Sequence, residues 1–120
     1  MTNSEVLELA EKLLPGVRNY LDVTWDDPTG DKKIRGIIAR GIGYLNRIAG
    51  EDLEYIETLE DEKTRVVEGK AIELLYDYCR YVRSDALDAY MRNYLPELNA
   101  LQIDARIGRM ADNADGDADL

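Results

Sequence analysis

The sequence predicts an all-α fold, a small helical bundle in which two shorter helical segments pack on one long helix. Apolar residues recur at three- and four-residue spacing through most of the chain, which is the pattern of amphipathic helices. No glycine or proline interrupts the strongest of these patterns between Lys70 and Leu95. The chain has 120 residues, a length typical of one domain.

The long helix is predicted from Glu60 to Leu98. At about 1.5 Å per residue, its uninterrupted part alone would be about 40 Å long. Its apolar stripe includes Cys79, which predicts a buried and unreactive thiol. Either the shorter helices cover the whole stripe or another protein does. The stripe consists of two neighbouring rows: Val67, Ala71, Leu74, Leu75, Tyr78, Val82, Ala86, Tyr90 and Tyr94, and Ile72, Cys79, Leu87, Met91 and Leu95.

The two shorter helical segments have recognisable ends. A T-x-x-E capping box beginning at Thr2 starts the first, and Pro15-Gly16 ends or kinks it. The second runs from about Lys32 to Ala49, with Asp31 as its N-cap and Gly50 just after its last turn. Three glycines weaken this second helix, and the offsetting gain would be a close helix–helix approach: Gly36, Gly41 and Gly43.

The pattern changes after Pro96, where apolar and polar residues alternate over seven positions. That period of two favours a short β-strand, with these apolar positions: Leu101, Ile103, Ala105 and Ile107. A lone strand would have to pair with a sheet edge in another protein. The alternative is a last helical turn followed by a loose tail. We therefore predict a helical domain over residues 1–108 and an acidic, disordered tail over residues 109–120.

Composition excludes several function classes. The chain contains no histidine and no nucleophile or metal-ligand motif, so we expect neither an enzyme nor a metal or cofactor site. The carboxylates at Asp26, Asp27 and Asp31 do not have the spacing of a calcium-binding EF-hand loop. A net charge of −10 disfavours specific nucleic-acid binding. No apolar run has transmembrane length and no signal peptide is visible, so we expect an intracellular protein with no membrane partner.

Short motifs along most of the chain resemble one family, and none of them is a catalytic signature. They are Val17-Arg18-Asn19-Tyr20-Leu21, Thr24-Trp25, Tyr44-Leu45-Asn46, Ile48-Ala49-Gly50, Leu74-Leu75, Asp77-Tyr78-Cys79-Arg80-Tyr81-Val82-Arg83-Ser84, Ala86-Leu87, Asn93-Tyr94 and Glu97-Leu98. Taken together, they resemble the head-tail connector, or adaptor, proteins of tailed bacteriophages, which attach below the portal. The family often has phenylalanine near Tyr90, whereas this chain contains none, and the tail after Arg109 lies outside the match.

The resemblance implies a structural virion protein that is monomeric in isolation or forms a ring, commonly dodecameric in the virion. Such a ring docks on the portal protein, joins head to tail, extends the DNA channel and receives a downstream tail-completion protein. The implied location is the head-tail interface of the virion, and the host bacterial cytoplasm during assembly. Family members are also described as DNA-packaging proteins, because they keep packaged DNA in place. An acidic surface would let DNA pass without binding.

This interpretation makes the apolar residues of the C-terminal segment candidates for the interface with the portal or a neighbouring subunit: Leu101, Ile103, Ala105 and Ile107. Further candidates, as subunit contacts or loop residues, are Trp25, Tyr81 and Tyr90. The alternative is a small acidic helical regulator that binds another protein. A helix-turn-helix DNA reader is disfavoured, because no helix has a basic face with base-reading side chains at its start.

Overall fold

The computed structural model describes residues 1–56 and 66–118, and every regular element in these ranges is an α-helix. The all-α prediction is therefore confirmed. The molecule measures 56 × 29 × 27 Å. The helices of the described ranges are α1 (Asn3–Tyr20), α2 (Pro28–Ala49), α3 (Val66–Arg83), α4 (Leu87–Asn93) and α5 (Leu95–Ala118).

The first helix begins at the predicted capping box. The Thr2 hydroxyl accepts the backbone N–H of Glu5 at 3.2 Å, and the Glu5 carboxylate accepts the N–H of Thr2 at 3.2 Å. The helix continues past Pro15 to Tyr20, so its buried residues lie on one continuous helix face. That face carries residues at helical spacing: Ala10, Leu13, Leu14 and Val17.

The second helix begins earlier than the sequence predicted. Its N-cap is Asp27, whose Oδ1 accepts the N–H of Gly30 at 3.0 Å, so the predicted N-cap at Asp31 is wrong. Pro28 explains the difference, because proline is favoured in a first turn, where its missing N–H needs no partner. Gly50 ends the helix as predicted, in the left-handed conformation at φ 73°.

The long helix predicted from Glu60 to Leu98 is instead three helices, α3, α4 and α5. Residues 60–65 lie outside the described part of the chain. The α3 helix ends at Arg83, and Asp85 takes a positive φ of 54°, which aspartate tolerates better than most residues. The N–H of Ala86 then donates to the carbonyl oxygen of Tyr81 at 2.8 Å, and the chain turns.

The helix ends after Arg83 although neither glycine nor proline stands there, and the reason lies in the residues that the turn brings back to the core. The turn carries Tyr90 into the core, where its side chain is 0% exposed and its hydroxyl donates to the Leu74 carbonyl oxygen at 2.9 Å. Its ring packs against Tyr78, with 5.6 Å between the centroids. A straight helix would have left this large side chain without a partner in its own chain, so burial favours the break.

The strand predicted around residues 101–107 is also wrong, because these residues belong to α5. The alternation of apolar residues contains two pairs at a spacing of four, and such pairs share a helix face as readily as alternate residues share a strand face. The first pair, Leu101 and Ala105, is buried, and the second pair, Ile103 and Ile107, is exposed. Since α5 continues to Ala118, a division of the chain at residue 109 remains a prediction.

Candidate functional site

The outward face of α5 carries three large apolar side chains that no described residue covers. Ile103, Ile107 and Met110 are 54%, 59% and 60% exposed. Their spacing of four and three residues puts them on one side of the helix. We call these three residues the α5 row. A contiguous set of large apolar side chains in water is typical of a surface that contacts another protein.

The inward face of α5 holds the helix in place. Leu98, Leu101 and Ala105 are buried in the common core. Further along, Arg109 Nη1 donates to the carbonyl oxygen of Ala49 at 2.7 Å, at the C-terminal end of α2. This hydrogen bond satisfies a carbonyl that the helix itself leaves unpaired. The α5 row therefore stands on a helix that is fixed by packing on one side and by Arg109 near its exposed end.

The predicted interface residues divide between the two faces of α5. Leu101 and Ala105 are 0% exposed and serve the core, so their side chains have no surface to offer. Ile103 and Ile107 are exposed and remain candidates. The sequence reasoning missed Met110, although its spacing from Ile107 and Ile103 would have indicated it if the segment had been interpreted as a helix.

Additional apolar side chains are exposed just before the α5 row. Leu87 and Met91, one turn apart on α4, are 38% and 44% exposed, and Leu95 at the start of α5 is 54% exposed. These residues belong to the part of the chain that folds back after Asp85. Exposed apolar surface thus runs along α4 and α5.

The remaining predicted contacts have different surroundings. Trp25 is 54% exposed in the loop before α2, and Arg18 donates to its backbone oxygen. Tyr81 is half-buried between Tyr90 and Tyr94, with centroid distances of 5.8 and 5.7 Å. Tyr90 has no exposed surface, so it cannot contact a neighbour while the chain keeps this fold. Only Trp25 presents a substantial face to a partner.

The fold favours the neutral, protonated forms of a cysteine and of tyrosines in and around the core. Burial raises the pKa of the Cys79 thiol to about 12, so the buried, unreactive thiol predicted for this position is supported. Burial, followed by a hydrogen bond with Asp77, raises the pKa of Tyr94 to about 12. The hydroxyl of Tyr20 also donates to Asp77. These groups are protonated near neutral pH and act as hydrogen-bond donors or apolar packing.

The described residues form neither a cluster of metal ligands nor a membrane-spanning helix. Among residues 1–56 and 66–118, no three histidine, cysteine, aspartate or glutamate side chains are grouped as metal ligands would be. Within the same described residues, no helix has both the length and the apolar character needed to span a bilayer.

Comparisons of the chain with family models, curated proteins and solved structures found no match. Of the contact residues predicted from the sequence, Ile103 and Ile107 of the α5 row and Trp25 before α2 are more than half exposed.

Proposed function

We propose that this protein is a structural head-tail connector of a tailed bacteriophage, which forms a ring below the portal protein. In this proposal the ring, commonly of twelve subunits in the family that the sequence resembles, extends the DNA channel and receives a tail-completion protein. The protein acts through its interfaces and not through a chemical reaction. Its place is the head-tail interface of the virion.

The observation that carries the proposal is the α5 row. Ile103, Ile107 and Met110 are each more than half exposed, on a helix whose opposite face buries Leu98, Leu101 and Ala105. Burying each such side chain in an interface contributes about 1.5–3 kcal/mol. An amphipathic helix that places its apolar face in a partner's groove is a common mode of recognition. We therefore propose docking through a helix face, which replaces docking through a strand.

The charge of the chain supports a role beside DNA. The net charge is −10 at neutral pH, and a ring of such subunits would present many carboxylates. Carboxylates repel phosphates, so DNA would move through the ring without being held.

The test is light scattering after size-exclusion chromatography, with the protein alone and mixed with the portal protein of the same genome. We expect the wild-type chain to form a ring, or to co-elute with the portal. The variant Ile103→Asp with Ile107→Asp should remain folded and lose this association, because two charges would enter an apolar contact. Leu7→Asp is the matched control, since Leu7 on α1 is 59% exposed, as Ile107 is.

A small regulator that binds another protein would use the same apolar row, and the same experiment distinguishes it. A chain that stays monomeric and ignores the portal at high concentration contradicts the connector function. A pull-down that depends on Ile103 and Ile107 would then identify the partner of a regulator. Equal portal binding by the wild type and the double variant would instead mean that the α5 row is not the docking surface.

A further inference from the structure

A groove opens between the first half of α2 and the end of α3. Its volume is about 810 Å³. Apolar side chains, including Ile37 and Val82, form part of the lining. The groove lies on a different part of the molecule from the α5 row, whose residues do not line it.

The groove is basic on a strongly acidic protein. Lys32, Lys33, Arg40 and Arg83 line it, and all four residues are exposed. The whole chain has 25 acidic and only 15 basic residues, so four cations at one groove are a marked local concentration. Such a groove attracts a ligand that carries several negative charges.

The cations are available, and the acidic residues of the lining are few. Within the described residues, no ion pair involves Lys32, Lys33 or Arg83. The lining contains two carboxylates, Asp27 and Asp85, and Oδ1 of Asp27 already accepts the N–H of Gly30. Four cations against two carboxylates leave the lining of the groove with a net positive charge.

The sequence itself contains a segment of complementary chemistry. Residues 112–119, which we call the acidic segment, carry four aspartates and no lysine or arginine: Asp112, Asp115, Asp117 and Asp119. The other residues of this segment are alanine, asparagine and glycine. The segment therefore carries several negative charges and no large side chain.

The groove and the part of α5 that follows Arg109 lie toward opposite ends of the molecule. From Tyr90, beside Tyr44, the chain advances to Arg109, beside Ala49, so α4 and α5 lead toward the C-terminal end of α2. Lys33 lies sixteen residues before Ala49 on α2, which is about 24 Å at the rise of an α-helix. Residues 112–118 of the acidic segment follow Arg109 in the same helix, which thus leads away from the groove of its own chain.

We infer that the basic groove binds the acidic segment of a second copy of this chain. Such a contact joins two different surfaces, head to tail, and repeats from copy to copy until a ring closes or a filament grows. The inference rests on the proposed self-association and names the contact that produces it. Because the attraction is between exposed charges, it weakens as salt is added.

The test measures binding of a fluorescent peptide of residues 109–120 to the full-length protein by anisotropy at low salt. We expect saturable binding that the variant Lys33→Glu with Arg83→Glu weakens by roughly tenfold or more. Lys12→Glu, an exposed charge reversal on α1 outside the groove, should bind as the wild type does. A peptide with every aspartate changed to asparagine should not bind.

A second groove variant leaves α3 unchanged, so that a folding defect at the end of α3 cannot be mistaken for a loss of binding. Lys32→Glu with Lys33→Glu changes only exposed residues of α2 and should weaken binding of the peptide by a similar factor. Absence of peptide binding, or equal binding by wild type and both groove variants, overturns the inference. It is also overturned if inorganic phosphate or a DNA oligonucleotide binds the groove and the peptide does not displace it. Portal binding is measured in a separate experiment, so a failure of the proposed connector function can be distinguished from a failure of the groove to bind the acidic segment.

Discussion

Gly41 of α2 lies directly against the ring of Tyr78 on α3. A Cβ atom added at residue 41 would be 2.7 Å from Cδ1 of Tyr78 and 2.7 Å from Cδ1 of Leu75. The Tyr78 ring is only 5% exposed and is stacked on Tyr44, with 5.6 Å between the centroids, so it has little room to move. The absence of a side chain at Gly41 is therefore what allows α2 and α3 to approach closely.

Gly41→Ala should lower the free energy of unfolding by about 1–3 kcal/mol, because an added methyl group overpacks this contact. Gly43→Ala is the matched control in the same helix. Apart from its own stretch of helix, nothing lies within 4 Å of a Cβ at residue 43, so alanine there should raise the free energy of unfolding by up to about 1 kcal/mol. Urea denaturation measures both. Equal stability of the two variants would contradict the close approach.

Leu101→Asp should unfold the protein or destabilise it by more than about 4 kcal/mol, because it puts a charge into the core. Ile103→Asp, only two residues away, should change the free energy of unfolding by no more than about 0.5 kcal/mol. Thermal unfolding followed by circular dichroism measures both. A strand with all four apolar residues on one face would instead make the two substitutions similar in effect.

Asp31→Asn should destabilise the fold by about 1–3 kcal/mol, since it weakens a charge-assisted hydrogen bond that is largely shielded from water. Arg18 Nη1 lies 2.9 Å from Asp31 Oδ2, and Asp31 is 9% exposed. Asp26→Asn, in the exposed loop nearby, is the control and should stay within about 0.5 kcal/mol of the wild type. Urea denaturation at low and high salt measures the difference. An equally small effect of both substitutions would show that the ion pair is unimportant.

Alkaline pH should unfold the protein cooperatively. The fold raises the pKa of Cys79 from 9.0 to about 12 and that of Tyr94 from 10.0 to about 12. In both cases the folded chain favours the protonated, neutral form, so the stabilisation is complete below about pH 9 and is lost as the pH rises toward 12. Circular dichroism and tyrosinate absorbance should therefore change together. Tyrosine ionisation that precedes any loss of helix would contradict this coupling.

Local signals in the sequence predicted the ends of elements well. The capping box at Thr2 and the left-handed Gly50 depend on neighbouring residues alone, and both are present as predicted. The burial of Cys79 follows from its place in a helical stripe. The N-cap of α2 was missed by four residues, because Asp27 and Asp31 are the same residue type and either can cap a helix.

Tertiary packing determined the features that the sequence did not reveal. Nothing at Ser84 or Asp85 forbids a continuing helix, and the apolar period runs on through Tyr90 and Tyr94. The burial of Tyr90 against α2 and α3 favours the turn, and that burial involves residues far apart in sequence. Of the four apolar residues predicted to form an interface, Ile103 and Ile107 are exposed and Leu101 and Ala105 are buried, and the contact itself stays a prediction.

The position of Trp25 gives the protein an intrinsic optical probe. It is the only tryptophan of the chain, and it lies in the loop between Val23 and Asp27, both of which line the basic groove. Its backbone oxygen is held by Arg18, while its side chain is 54% exposed. A ligand that enters the groove should change the polarity around the indole, so a shift of the emission maximum would signal occupancy without any label.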